Sequence, residues 1–501
     1  MFKIKLPQEN VELECSKGAN LYSVLASRGL IDAPCGGKGV CAKCAVTIDG
    51  KTVLSCEETV LENLIVCLPE RNKVSPIISS GYMKRFEPEL KNKGEFGLAI
   101  DIGTTTVVVS LIDLSTGLEV QSLSCLNAQK SYGQDVISRI QYCTENEEGT
   151  LKLQKLIVED LNLLISQLVL QNRLKHSQII EISIAGNTTM IHLLAGINPE
   201  SMGSAPYVPA FYGPLKLRAD DLGLSLDADC PVYCLSAIAS FVGGDITAGM
   251  LACGIGQDDE NVLFIDIGTN GEMLLSVKGE LYCCSCAAGP ALEGMNISCG
   301  IRAAAGAIEE VEIKSGKVKY KTIDDKTANG ICGSGLLCAI AQGVKHDIIG
   351  PSGRFTKHPL VTKIQGKASL ILSEEHEIYI SQKDIRQVQL AKGAILSGIL
   401  TLIESAGVEV KDLDKVIVAG QFGAHLEVES LVGSGLIPNE LKDKITYAGN
   451  TSKSGSVVCL LSKKERFMSE QLAENIKYIE MSTLDGFEKV FVDCLNFKKE
   501  E

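Results

Sequence analysis

The sequence predicts an α/β protein whose two similar halves face each other across a cleft, preceded by a small α+β domain. The hydrophobic runs LAIDIGTTT and LFIDIGTNG, which end at Thr106 and Gly271, repeat one strand-and-turn pattern. From Gly97 onward, strand-like segments alternate with amphipathic helical ones, as in parallel sheets flanked by helices. Near the N-terminus, three cysteines share one glycine-rich loop between strand-like segments. These observations together predict the fold class.

Length and composition divide the chain into a small domain, a linker and two halves. The 501 residues, 45% of them hydrophobic, are enough for about three domains. Residues 1–78 are expected to form the small domain, and 79–96 a polar linker rich in turn residues. Residues 97–260 then carry the first repeat and 261–501 the second, so each half opens on one copy of the motif.

The repeated motif has the chemistry of a phosphate-binding hairpin. Asp101 and Asp266 would end buried strands with a carboxylate able to orient a hydrated Mg²⁺ or an attacking water. Gly103 and Gly268 permit a tight turn whose N–H groups can face an anion. The rest of the two turns adds hydroxyl and amide groups, from Thr104, Thr105, Thr106, Thr269, Asn270 and Gly271. An ordinary β-hairpin is the alternative for one copy, whereas two near-identical copies favour a nucleotide cleft.

Four of the 19 cysteines indicate a metal centre rather than disulfides, because a large cytosolic chain builds its own core in a reducing compartment. Cys35, Cys41 and Cys44 form a C-x5-C-x2-C loop, and Cys56 follows a strand-turn-strand segment. Plant-type ferredoxins hold a [2Fe–2S] cluster with a related loop and one distant cysteine. Structural zinc is the alternative, but zinc sites usually pair their ligands in separate C-x2-C knuckles. Cys67 competes as the fourth ligand; its apolar strand makes Cys56 the preferred one.

Charge and hydropathy exclude several other classes of protein. A net charge of −14 without Lys or Arg clusters argues against nucleic-acid binding. No apolar stretch of membrane length is expected, and the N-terminal MFKIKLPQENVELE alternates like an edge strand rather than a signal peptide. The protein is therefore expected to be cytoplasmic and not to bind a membrane.

A second group of cysteines suggests another metal site. Cys283, Cys284 and Cys286 form a C-C-x-C segment, with Cys299 further along the chain. The segment reads as a strand, in which alternate side chains face opposite ways, so buried thiols are favoured over ligands.

The two hairpins, with the late glycine turn VIVAGQFG at 416–423, resemble the superfamily of acetate and sugar kinases, Hsp70 and actin. More narrowly, nearly the whole chain is similar to the reductive activators of corrinoid enzymes. The segments that carry this resemblance, besides the cysteine loop, are AGNTTMIHLLAGINP, SFVGGDITAG, AAGPALEGMNISCGIRA, GICGSGL and QKDIRQVQLAKGAI. The resemblance implies a β-grasp, ferredoxin-like domain followed by a duplicated RNase H-like ATPase fold.

Residue roles follow from the positions that match this family. Asp101 is expected to hold Mg²⁺ through water, and Asp266 to orient the attacking water. Asp245, which follows two glycines, is a further Mg²⁺ or phosphate contact, or else a carboxylate at a helix start. The hairpin residues 104–106 and 269–271 would bind the phosphates of ATP. The adenosine would be bordered by Gly420, Gln421, Phe422 and Gly423.

The resemblance also implies an activity: an ATP-dependent enzyme passes one electron from its [2Fe–2S] cluster to a corrinoid protein, returning inactive Co(II) to Co(I). A plant-type cluster lies near −400 mV, and each ~59 mV of uphill one-electron transfer costs about 1.4 kcal/mol, so ATP would supply the deficit. A low-potential electron donor must reload the cluster, and a homodimer is left open. Two other classes stay open: a small-molecule kinase with an attached redox domain, and a non-catalytic, nucleotide-gated electron-transfer or redox-sensing module.

Overall fold

The structure is a computed structural model that describes residues 2–7, 11–26, 30–31, 44–48, 51–68, 81–420 and 426–498. Over these ranges, three larger sheets organise the small domain and the two halves, and two three-stranded sheets are added to the second half.

A five-stranded mixed sheet with one short helix builds the small N-terminal domain. Its elements are β1 (Phe2–Leu6), β2 (Val11–Cys15), α1 (Leu21–Ala26), β3 (Ala45–Ile48), β4 (Lys51–Leu54) and β5 (Leu64–Cys67). The order β2-β1-β5-β3-β4, with β1 and β5 parallel, covers a core that includes Ile4, Leu25 and Val66. The N-terminal segment is thus a hairpin of two strands. The edge strand expected from its alternation is correct for β2, which lies at the edge of the sheet, and wrong for β1, which lies inside it. Pro7, which lacks an N–H, ends β1.

A six-stranded sheet organises the first half. Its helices and strands are β6 (Phe96–Ile102), β7 (Thr106–Asp113), β8 (Leu118–Leu126), α2 (Val136–Glu145), α3 (Gly149–Gln171), β9 (Ile179–Gly186), α4 (Thr188–Leu194), β10 (Gly213–Arg218), α5 (Ala219–Leu222), β11 (Pro231–Ala237) and α6 (Gly244–Cys253). Strands β6, β7 and β8 form an antiparallel meander, while β9 pairs parallel with β6 and β11 parallel with β9. Helix α3 buries its apolar face against β7 and β8.

The second half repeats this sheet and carries two small ones. Its elements are β12 (Val262–Ile267), β13 (Gly271–Val277), β14 (Glu280–Cys286), β15 (Ala307–Lys314), β16 (Lys317–Thr322), β17 (Gly330–Ile331), α7 (Gly333–Lys345), β18 (Val361–Ile364), β19 (Lys367–Ser373), β20 (Ile378–Ser381), α8 (Gln382–Ser405), β21 (Lys415–Ala419), α9 (Val428–Gly433), β22 (Ile445–Gly449), α10 (Thr451–Leu461), α11 (Lys463–Glu474), β23 (Lys477–Tyr478) and α12 (Phe487–Cys494). The large sheet has the order β22-β21-β12-β13-β14-β23.

The two large sheets share one topology. In each, three antiparallel strands come first, and the fourth and fifth are added in parallel beside the first, as β9 and β11 in one half and β21 and β22 in the other. Each sheet therefore places its first hairpin, β6-β7 or β12-β13, next to a parallel strand. The predicted α/β class and the duplicated fold are confirmed.

Helix α10 joins the halves, because it follows strand β22 of the second sheet in sequence but packs on β6, β9 and α6 of the first half. At its crossing with α6, a Cβ on Gly455 would lie 2.1 Å from the carbonyl oxygen of Ala248, so only glycine fits there. The N-terminus of α10 consequently reaches the end of β6, where Asp101 lies.

Two further packing relationships bear on function. Helix α1 of the small domain contacts the short 3-10 helix Ala128–Ser131 of the first half. Contrary to the sequence expectation, α8 is long and apolar enough to cross a bilayer, but 72% of its most apolar window is buried inside the protein. That burial is usual for a core helix, and no other helix in the described ranges meets the same criteria.

Candidate functional site

The two aspartates of the repeated motif lie one residue before the ends of equivalent strands, Asp101 in β6 and Asp266 in β12. Asp101 is buried, and its carboxylate accepts hydrogen bonds from Asn450 Nδ2 at 2.8 Å and Ser452 Oγ at 2.7 Å. Burial raises the pKa of Asp101, while these two bonds and the nearby Lys453 ammonium act in the opposite direction. The start of α10 thus orients this carboxylate at the cleft.

Three more carboxyl groups share the cleft with Asp101. Burial and the neighbouring Asp101 charge raise the pKa of Asp245 to about 7. Burial and the charges of Asp245 and Asp101 raise the pKa of Asp266 to about 7 as well. Glu272, on β13, has a pKa well above its usual value for the same reasons, burial first and then Asp245 and Asp266. Four like charges held together in this way require a cation or protons to neutralise them.

The arrangement fits a hydrated Mg²⁺ better than a directly chelated ion. Among the residues that the structure describes, no three His, Cys, Asp or Glu side chains converge closely enough to hold a metal. Mg²⁺ usually keeps several waters and is bound through one or two carboxylates plus the phosphates of its substrate. Asp101, Asp245 and Asp266 suit that outer role.

The two hairpin turns have the same length, three residues between their strands, and in each the glycine N–H donates to a backbone carbonyl within the hairpin. In the first, Gly103 N donates to Thr106 O at 3.0 Å, and in the second Gly268 N donates to Asn270 O at 3.0 Å. The side chains of Thr104, Thr105 and Thr106 are half-buried, as is that of Asn270, while Thr269 and Gly271 are buried. The Thr269 hydroxyl donates to Glu293 Oε1. The structure therefore places both predicted phosphate turns at the ends of equivalent strands, β6 in one large sheet and β12 in the other.

The late glycine turn begins beside Asp266. Gly420 has φ +89°, and a Cβ there would lie 2.6 Å from Asp266 Oδ1 and 2.9 Å from Ile267 O. Glycine is needed at this position for both reasons. Gln421, Phe422 and Gly423, the other predicted adenosine residues, lie outside the described residues.

Asp245 lies in the first turn of α6, as the helix-start alternative predicts, and the Asp101 charge acts on it across the cleft. Its contact with Mg²⁺ or phosphate stays a prediction. The start of α6 is pressed against that of α4, because a Cβ on Gly243 would lie 2.3 Å from Thr188 N. Asn187 caps α4 by accepting from Thr189 N at 3.0 Å, and its Nδ2 donates to Glu272 Oε1 at 2.7 Å.

Sequence reasoning missed several residues of this site. Asn450, Ser452 and Glu293 lie outside both hairpin motifs and meet the cleft only through the fold. Glu272 directly follows the second motif, but its hydrogen bond from Asn187 of the other half is not indicated by any motif. One signal was available: the segment AGNTSKSG follows a strand and has an asparagine at a helix N-cap.

The cysteine site is only partly described, because Cys35 and Cys41 lie outside the described residues. The other two predicted ligands converge: Cys44 Sγ and Cys56 Sγ are 3.1 Å apart. Local hydrogen bonds hold both backbones, since Ser55 N and Oγ donate to Cys44 O at 2.9 and 2.8 Å, and Asn20 Nδ2 donates to Cys56 O at 2.8 Å. Two thiols that approach this closely suit ligation of one metal.

Cys67 occupies a different face of the sheet. It pairs with Thr47 across β3 and β5, while Val46 and Val66 beside them point into the core together with Cys44. Side chains alternate along a strand, so Cys67 faces away from that core. The geometry favours Cys56 as the fourth ligand.

The C-C-x-C segment lies on β14, as predicted, and its thiols are buried. Cys283 faces one core cluster, while Cys284 and Cys286 face another. Burial raises the pKa of Cys286 to about 12 and that of Cys284 well above its usual value. These three behave as core side chains, and Cys299 is half-buried with its thiol 3.7 Å from Glu377 O.

Comparison with protein families gives three matches in chain order. Residues 4–66 match the 2Fe-2S iron-sulfur cluster binding domain, 96–258 match the RACo middle region, and 260–501 match the C-terminal domain of RACo, described as the ASKHA domain. Together with the duplicated sheets and the acidic cleft, these matches define a ferredoxin-type domain joined to an ATPase of the actin, Hsp70 and sugar-kinase class. Its cofactors are a [2Fe–2S] cluster and ATP with Mg²⁺.

Whole-chain relatives narrow the class. A solved structure described as a reductive activator for corrinoid, iron-sulfur protein is 30% identical with a TM-score of 0.73, over 99% of this chain and 98% of that one. The corrinoid activation enzyme RamQ of Eubacterium limosum is 29% identical over 98% of each chain. A Methanosarcina barkeri reductase of a Co(II) methylated amine-specific corrinoid protein is 26% identical over 80% of this chain and 77% of its own. The chain belongs to the family of reductive activators of corrinoid proteins.

Proposed function

We propose that this protein is an ATP-dependent reductive activator that passes one electron to a corrinoid protein and converts its inactive Co(II) to Co(I). The proposal depends on two sites that occur together in this chain. One is the pair of close thiols Cys44 and Cys56. The other is the cleft between the duplicated halves, which is lined by the carboxyl groups of Asp101, Asp245, Asp266 and Glu272. Its relatives across the full length are activators of the same kind.

The energetics explain why an electron carrier needs an ATPase. A plant-type cluster lies near −400 mV, and each ~59 mV of uphill one-electron transfer costs about 1.4 kcal/mol. A nucleotide can meet this cost only through different affinities for two states of the protein. The cleft carboxyl groups would provide this difference in affinity. Without nucleotide they are neutralised by protons, and with nucleotide they would be neutralised by Mg²⁺.

Each group has a part in this proposal. Cys44 and Cys56, with Cys35 and Cys41, would hold the [2Fe–2S] cluster, which supplies one-electron chemistry when bound. Asp101 would orient water on Mg²⁺ through its bonds from Asn450 and Ser452. Asp266, whose pKa of about 7 suits a general base, would orient the attacking water.

The cluster domain contacts the ATPase part of the chain close in sequence to a residue that binds the first hairpin. Helix α1 of the cluster domain contacts the 3-10 helix Ala128–Ser131. That helix follows Asn127, whose Nδ2 donates to Gly103 O of the first hairpin at 2.9 Å. A change at the hairpin on nucleotide binding would therefore reach the surface on which the cluster domain rests.

Other parts of the proposal come from the sequence. The protein is taken to act in the cytoplasm on a corrinoid protein of a methyltransferase system, to be reloaded by a low-potential donor, and to bind neither nucleic acid nor membrane. A homodimer is compatible with it. The proposed division is a cluster domain at 1–78, a linker at 79–96 and two ATPase halves at 97–260 and 261–501.

The test is ATP turnover by the cluster-loaded protein with and without a Co(II) corrinoid protein. The proposal expects the Co(II) protein to stimulate hydrolysis, with all phosphate released to water. Phosphorylation of a metabolite instead would favour a kinase. Nucleotide binding with no turnover under any condition would favour a non-catalytic redox sensor, and either result would overturn the proposal.

A further inference from the structure

Three consecutive backbone carbonyl groups of the first phosphate hairpin, at residues 103–105, accept hydrogen bonds from two residues of the following segment of chain. Asn127 Nδ2 donates to Gly103 O at 2.9 Å, and Asn127 N donates to Thr105 O at 3.0 Å. Between them, the guanidinium of Arg139 donates through Nη2 to Thr104 O. The whole tip of the hairpin is therefore fixed on its inner side.

Arg139 is an unusual group to use for this purpose. Its side chain is completely buried, and its other donors reach neutral acceptors, with Nε at 3.0 Å from Gly133 O and Nη1 at 3.1 Å from Gln129 Oε1. Among the described residues, no carboxylate lies within ion-pair distance of it; Asp135 acts only from further away. A buried cation without a paired anion is costly unless a ligand supplies the negative charge.

Peptide geometry determines where the N–H groups of the hairpin point. The peptide bonds here are trans, so each N–H points opposite to the carbonyl of the preceding residue. Because the carbonyls of Gly103 and Thr104 face inward, the N–H groups of Thr104 and Thr105 face the other way. Neither of these N–H groups donates to an acceptor anywhere in the described ranges.

We propose that Arg139 and Asn127 are positioning residues that preform the first hairpin, so that the N–H groups of Thr104 and Thr105 bind a phosphate of ATP or ADP. The inference rests on the proposed ATPase and adds residues that no motif marks. Two adjacent outward N–H groups form an anion-binding concavity, and the Arg139 charge behind them adds a favourable potential. The second hairpin is backed differently, by Gly289 N donating to Thr269 O at 2.9 Å and by Glu293.

The first test compares affinities for ADP and for adenosine in the cluster-loaded protein. Arg139→Lys keeps a charge but loses the fork that reaches Thr104 O, Gly133 O and Gln129 together. ADP binding is expected to weaken about 10- to 100-fold while adenosine binding stays within a factor of two or so. Equal weakening of both ligands, or unchanged ADP affinity, would overturn the assignment.

A matched control is available in Arg466→Lys. Arg466 also donates to a backbone carbonyl, Cys459 O, but it pairs with Glu181 at 2.6 Å and stacks on Tyr233 of β11, two strands away from β6 in the sheet. This variant is expected to unfold more easily and to bind ADP as the wild type does.

A second measurement needs no variant. Amide hydrogen exchange at single-residue resolution should show Thr104 and Thr105 unprotected in the free wild-type protein and protected when ADP saturates it. Protection of neither amide would overturn the inference even if Arg139→Lys fails to fold. Both tests measure only nucleotide binding. A protein that does not reduce a corrinoid protein would therefore contradict the proposed function without affecting this inference.

Discussion

The carboxylate of Asp101 accepts a hydrogen bond from Asn450 Nδ2 at 2.8 Å, although the two residues are 349 positions apart. The bond links the strand of the first phosphate hairpin to the start of α10, the helix that follows strand β22 of the second sheet. It explains how a carboxylate in one half is held by residues that the other half delivers.

Replacing both Asp101 and Asp266 with alanine is expected to lower steady-state ATP hydrolysis at least about 100-fold, because the Mg²⁺ and water contacts are lost. The visible spectrum of the cluster should not change. Asp384→Asn is the control: this buried carboxylate caps α8 through Ser381 outside the cleft, so its loss should cost stability and leave hydrolysis intact. Wild-type turnover in the double variant would contradict the assignment.

The cleft carboxyls predict a pH dependence. The pKa values of Asp245 and Asp266 are raised from 3.8 to about 7, so the folded protein binds protons that the unfolded chain releases. Stability from these groups is present below pH 3.8 and is lost as the pH rises through 7. Thermal unfolding of the metal-free protein should show this loss, and Asp266→Asn should make it shallower. An identical pH profile in wild type and variant would contradict it.

The same groups predict how Mg²⁺ binding responds to pH. Mg²⁺ needs the ionised carboxylates, so its apparent affinity should fall about tenfold per pH unit below 7 for each proton displaced. Calorimetric titration of the ADP complex with Mg²⁺ at several pH values measures this slope. If the apparent Mg²⁺ affinity is the same at about pH 5 and pH 7 when the ionic strength is held constant, these carboxylates do not contact the ion or its water.

Gly420→Ala is expected to reduce both stability and ATP hydrolysis, because its Cβ would meet Asp266 Oδ1 at 2.6 Å in a left-handed backbone. Gly407→Ala is the matched control, since Gly407 also has a positive φ but nothing within 4 Å of its Cβ. Both variants should lose about 1 kcal/mol from backbone strain alone. A catalytic defect in Gly407→Ala as large as that in Gly420→Ala would rule out the contact with Asp266 as the cause.

The cluster ligands can be tested by serine substitution. Cys56→Ser and Cys44→Ser should abolish or strongly shift the visible absorption, since each removes one of two thiols that lie 3.1 Å apart. Cys67→Ser should retain the spectrum and the iron content. The reverse pattern would make Cys67 the ligand, and a colourless wild type containing one zinc would remove the cluster altogether.

The parts of the fold that sequence predicted well are those set by local pattern. The hairpins around Asp101 and Asp266 can be recognised in the sequence, because each is an apolar run followed by Asp, Gly and Thr. The repetition of this pattern predicted the duplicated sheets. The N-terminal hairpin was missed because alternation reports which side of a sheet is buried and carries no information on neighbouring strands.

The parts that sequence did not predict are set by contacts across the fold. Glu272 meets Asn187 from the opposite half, and Arg139 reaches Thr104 from a helix 35 residues later. The sequence does not distinguish a buried arginine from an exposed one. Only the packing shows that Arg139 is buried and that it has no anionic partner within ion-pair distance among the described residues. Three of the four adenosine residues lie outside the described residues and stay predictions.

If ATP enables an uphill electron transfer from the cluster to cobalt, the absorption change from Co(II) to Co(I) corrinoid should depend on ATP. We expect Co(I) to form only when cluster-loaded protein, a low-potential reductant and ATP with Mg²⁺ are all present. The Asp101 and Asp266 double alanine variant should then fail, even though its cluster is reduced normally. Co(I) formed at the same rate and extent without ATP, or by the Cys44→Ser protein, would show that electron transfer to cobalt needs neither ATP nor the cluster.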